Sequence, residues 1–77
     1  MKKYIVTETE KDAPDYKYQE KFDTIEEAKA RMLDLYRQVA IEGNLDAIEK
    51  AELYQNSAIV YLTDGNIIEW EVYETNK

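Results

Sequence analysis

The chain has 77 residues and a net charge of −7, set by 17 acidic and 10 basic side chains, and it contains neither cysteine nor histidine. That composition excludes disulfides, thiol nucleophiles and thiolate metal sites, and it removes the commonest general base and transition-metal ligand. A hydrophobic share of 44% beside 35% charged residues is the balance of a folded chain. The length suits one domain over residues 1–77 with a thin core, since a chain this size buries only about 60% of its unfolded surface.

The opening stretch MKKYIVTETE has no apolar region of signal length, and no later run approaches a membrane span, so a cytoplasmic protein with no membrane partner is expected. Lys3–Thr9, rich in β-branched residues, predicts a first strand. Pro14 and its neighbouring aspartates predict a turn. The segment YKYQEKF alternates, with Tyr16, Tyr18, Glu20 and Phe22 on one face and Lys17, Gln19 and Lys21 on the other, and reads as a second strand paired back on the first.

Helical spacing is strongest next. Ile25, Ala28, Met32, Leu35, Tyr36 and Val39 form a stripe that Leu33 and Ala40 widen, predicting a helix over Ile25–Glu42. Thr24 with Glu27 fits a capping box, and Asp23 with Glu26 is a competing register. Glu27 and Arg31 form an i,i+4 pair, and Gly43 reads as a left-handed stop with Asn44 behind it. A short second helix from Leu45 to Leu53 or Tyr54 follows, capped by Asn44, with Asp46 and Lys50 as its i,i+4 pair.

The closing stretch AIVYLTDGNIIEWEVYE is a hairpin with two competing registers. A two-residue Asp64-Gly65 turn pairs residues whose numbers sum to 129 and mixes polar and apolar side chains on both faces. A three-residue Thr63-Asp64-Gly65 loop, with Gly65 left-handed, changes the sum to 128 and gathers Ala58, Val60, Leu62, Ile68, Trp70 and Val72 on one apolar face. Burial selects the second register. Trp70 then lies beneath the helix, and Trp70→Ala should cost about 3–5 kcal/mol. The expected fold is α+β, ββα(α)ββ in chain order: an antiparallel sheet of about four strands with the long helix on one face.

The other face of the hairpin carries Ile59, Tyr61, Ile67, Glu69, Glu71 and Tyr73. One helix covers one side of a sheet, so these six residues are the candidate partner-contact surface, the partner being another protein or a second copy of the chain. Cross-strand pairing on an ordinary open face explains the tyrosines equally well. Glu69 and Glu71 sit roughly 7 Å apart along one strand, a separation that glycosidic chemistry uses, but an exposed strand offers no pocket to shift either group. TDGNIIE lacks the ligand order of a calcium loop, and there is no glycine-rich phosphate loop or nucleophile elbow. No catalytic residue, metal ligand or cofactor is therefore expected, and the chain is read as no enzyme. The acidic balance disfavours nucleic acid as a direct ligand.

Glu8, Glu10, Asp12 and Asp15 cluster near the first loop. In size, charge and lack of cysteine the chain resembles small acidic accessory proteins of phages and mobile elements. That resemblance implies an alternative function, in which carboxylates imitate nucleic acid and occupy the groove of a host defence protein. An ordinary solvated acidic surface is the simpler account of the same residues.

Overall fold

The computed structural model describes residues 2–75. The elements in chain order are β1 (Lys3–Glu10), β2 (Ala13–Phe22), α1 (Ile25–Ala40), a 3-10 turn (Leu45–Ala47), β3 (Ile48–Leu53), β4 (Ser57–Leu62) and β5 (Ile67–Thr75). The strands form one antiparallel sheet in the order β2-β1-β5-β4-β3, and α1 packs on one face of it. The architecture is α+β as expected, with five strands in place of about four.

The added strand is the segment expected to be a second helix. Only Leu45–Ala47 makes a helical turn, capped by the Asn44 side chain, which accepts from the Asp46 N–H at 3.2 Å. The rest, Ile48–Leu53, pairs with β4: Ala51 faces Val60, Glu52 faces Ile59 and Leu53 faces Ala58. Ile48–Leu53 is made of Ile, Glu, Lys, Ala and Leu, most of them good helix formers. Its apolar stripe is too narrow to bury a helix, however, and the free backbone of β4 offers it a ladder; tertiary pairing overrides local preference. Lys50 accordingly approaches Glu52 at 3.8 Å, two residues on along the strand, in place of the expected partner Asp46.

The hairpin register is the one selected by burial. Ala58 pairs with Trp70, Val60 with Ile68 and Tyr61 with Ile67, each pair summing to 128. The Leu62 N–H donates to the Asn66 carbonyl at 2.9 Å across the loop, and Gly65 has φ +95°. Ala58, Val60, Ile68, Trp70 and Val72 are buried against α1 with Val6, Ala28 and Met32. Trp70 is fully enclosed, and Tyr36 meets its ring edge-on at 6.1 Å between centroids and 86° between planes. Leu33, expected to widen the stripe, is 40% exposed on the flank of the helix.

Thr24 is the cap and Asp23 is not. The Thr24 hydroxyl accepts from the Glu27 N–H at 3.2 Å and donates to the Glu27 carboxylate at 2.9 Å, while Asp23 pairs with Lys3. Arg31 passes over Glu27 to Glu20 at 3.4 Å and Asp34 at 3.1 Å, with its guanidinium 5.9 Å from the Tyr18 ring, so it ties the helix to β2. The helix ends at Ala40, two residues before Glu42, and Gly43 is not left-handed. A Cβ at Gly43 would lie 2.7 Å from the Val39 carbonyl oxygen, so glycine is there for close approach. Pro14 also differs from expectation. The turn is Lys11-Asp12, and Pro14 lies inside β2, an edge strand whose outer side needs no N–H donor.

Candidate interaction surface

Strand alternation sorts every sheet residue onto one of two faces. The register places all six predicted contact residues, Ile59, Tyr61, Ile67, Glu69, Glu71 and Tyr73, on the face opposite α1. No element among the described residues covers that face.

The six residues do not make one patch. Tyr61 pairs with Ile67 and Ile59 with Glu69, so Ile59, Tyr61 and Ile67 form an apolar corner at one end of β4 and β5, each half-buried. Lys50 on the neighbouring strand brings its ammonium 6.0 Å from the centre of the Tyr61 ring, within the range of cation–π attraction. Tyr73 lies at the other end, paired with Ile5. A polar band separates the two corners: Glu71 stands between Thr7 and Ser57, and Glu69 between Thr9 and Ile59. Glu69 and Glu71 are both exposed, and a shallow groove runs past Tyr73 and Glu71 along Thr7, Thr9, Lys17 and Gln19.

Three contributors to this surface escape a reading of the sequence. Ile5 is 6% exposed although it lies on the open side, because Tyr73 and Lys21 flank it across the ladders. Lys50 and Glu52 join the face only because residues 48–53 form a strand. The Tyr54 hydroxyl donates to Glu52 at 2.6 Å, and that bond to a carboxylate raises the Tyr54 pKa. The alternation of Lys50, Ala51, Glu52 and Leu53 was the available signal.

On the helix side, Glu8 holds two aromatic donors. The Trp70 indole N–H donates to one carboxylate oxygen at 2.5 Å and the Tyr16 hydroxyl to the other at 2.8 Å. The hydroxyl–carboxylate bond favours the neutral phenol, and with some desolvation it pushes the Tyr16 pKa up to about 12. Glu8 is thus tied into the packing around Trp70.

Turns gather at one end of the sheet. The Lys11 N–H donates to the Ile67 carbonyl at 2.9 Å, the Asp12 N–H to the Asn66 side chain at 2.9 Å, and the Thr63 N–H to the Ala47 carbonyl at 2.8 Å. The β1–β2 turn, the β4–β5 turn and the 3-10 turn are therefore neighbours, and they bring Glu10, Asp12, Asp46 and Asp64 to the same end as the C-terminus of α1 and Glu42. Among the described residues no helix is long and apolar enough to cross a membrane. No family model matches the chain, and no curated protein or solved structure matches it.

Proposed function

We propose that the protein is a non-catalytic interaction module that binds a protein partner through its open sheet face. One observation carries this reading: the face left without a helix still holds Ile59, Tyr61 and Ile67 side by side, next to exposed Glu69 and Glu71. Tyrosine and isoleucine supply apolar contact area at low cost in side-chain entropy, and the two glutamates beside them suit a partner with an apolar patch bordered by basic groups. Capture from the source cell with the wild type, Tyr61→Ala and Ile59→Ala tests it. Both substitutions should release the same captured protein while the Trp70 near-UV signal is retained. Capture unchanged by both removes the open face as the working surface.

A second reading has support of its own. The cluster of carboxylates at the turn end, beside the negative end of α1, favours an acidic inhibitor that occupies a nucleic-acid groove. Competition with DNA for a host nuclease should then weaken as salt rises. Competition indifferent to salt would count against it.

A further inference from the structure

β3 is paired on one side only, and its outer side meets no strand among the described residues. The Tyr54 N–H donates to the Ser57 carbonyl at 2.8 Å, so the backbone of Tyr54 turns toward β4. Alternation along the strand then turns the N–H and C=O groups of Ala51 and Leu53 outward. The other edge strand, β2, carries Pro14, Lys17 and Lys21, the residues that commonly blunt an edge. On β3 the irregularity between Ile48 and Lys50 leaves residues 50–53 as a short regular edge. The helix packs chiefly over β1, β2, β4 and β5, and farther along β3 Ala51 and Leu53, on the helix side, are exposed, Leu53 by 48%.

We propose that this edge pairs with a second copy of the chain, antiparallel about a two-fold axis at Ala51. Charge selects both the occupant and the register. Outward-facing residues must oppose each other, so the pair numbers sum to 100, 102, 104 or 106. A sum of 100 sets Lys50 against the partner's Lys50, and 104 sets Glu52 against the partner's Glu52. A sum of 106 leaves Glu52 opposite the partner's Tyr54. Only 102 places Lys50 opposite the partner's Glu52, twice by symmetry, at the non-hydrogen-bonded positions where side chains are closest. Because Lys50 and Glu52 already stand 3.8 Å apart within one chain, the dimer closes a square of alternating charges. The same register stacks Ala51 on the partner's Ala51 and joins the two sheets into one of ten strands. Lys50 and Glu52 also border the open face, but the pairing runs through the backbone edge of β3 and needs no contact from Ile59, Tyr61 or Ile67.

Sedimentation across a concentration series at low salt tests the pairing. The wild type should dimerise. Lys50→Glu alone and Glu52→Lys alone should each weaken the dimer by about tenfold or more, since each turns both cross-strand attractions into repulsions. An equimolar mixture of the two variants should associate as well as the wild type, because opposite charges then face each other again. Near-UV dichroism of Trp70 confirms that every variant is folded. A wild type that stays monomeric up to about 1 mM, reversals that leave association unmoved, or a mixture no tighter than its components would each overturn the proposal.

Discussion

At the residue scale the side chain that anchors the core tryptophan is Glu8, whose two oxygens accept from Trp70 and Tyr16. Trp70 is fully enclosed, so Glu8→Ala leaves the indole N–H without its acceptor and should cost about 1–3 kcal/mol by urea unfolding. Glu8→Gln keeps an acceptor oxygen and should cost less than Glu8→Ala. The same bond governs Tyr16, whose raised pKa of about 12 has hydrogen bonding to Glu8 as its largest cause. Because the folded pKa lies above the unfolded value near 10, the folded state holds the phenolic proton more tightly. The associated stability is present below about pH 10 and fades as pH rises from there toward the folded value. The ultraviolet difference between wild type and Tyr16→Phe should therefore stay flat between about pH 9 and about pH 11. With Glu8→Gln as the background, the phenolate rise should return toward its ordinary range. Gly65 and Gly43 separate by mechanism: the first has φ +95° and open space around a Cβ, the second an ordinary backbone and a carbonyl 2.7 Å away. Gly65→Ala should cost about 1–2 kcal/mol from backbone strain alone, measured as a shift in the unfolding midpoint.

At the element scale, α1 depends on its first turn. Thr24→Ala removes the acceptor for the Glu27 N–H and should destabilise the chain by about 1 kcal/mol. Asp23→Ala should cost less, because Asp23 makes an exposed pair with Lys3 and caps nothing. The cap, the helix stripe and the hairpin register were legible because each follows a short-range rule: an oxygen three residues before a glutamate, a period near 3.6, and one glycine that sets the parity of two strands. β3 was not legible. Its residues prefer helix in isolation, and what makes them a strand is the unpaired backbone of β4, a partner that no local window contains. The same limit applies to the surface. Six contact residues were legible as sharing a face once the hairpin parity was known. Their division into two corners follows from the same hairpin, since Glu69 and Glu71 stand between Ile67 and Tyr73 along β5, whereas the contribution of Ile5 waits on β1 pairing with β5 and those of Lys50 and Glu52 on β3.

At the scale of the whole molecule, the sheet is wider than its cover. One helix of 16 residues, about 24 Å long, packs on the strands from β2 to β4, and the molecule is only 16 Å through its thinnest axis. A layer this thin keeps most charges near water, so the net charge of −7 acts mainly as long-range repulsion, and it is unevenly placed. The turns gather carboxylates where the helix dipole is already negative, with Arg37 the basic residue in the last turn and Glu42 just beyond it. Glu42→Lys reverses a charge that opposes the dipole and takes the net charge from −7 to −5. It should stabilise the chain by about 0.3–1 kcal/mol at low ionic strength. Thermal unfolding of both proteins across a salt series checks the cause. The wild type should gain stability as the Debye length shortens from about 30 Å at 0.01 M to about 8 Å at 0.15 M, and the advantage of Glu42→Lys should shrink over the same range. An advantage independent of salt would assign the gain to helix propensity at position 42, and would leave the acidic end without an energetic cost to folding.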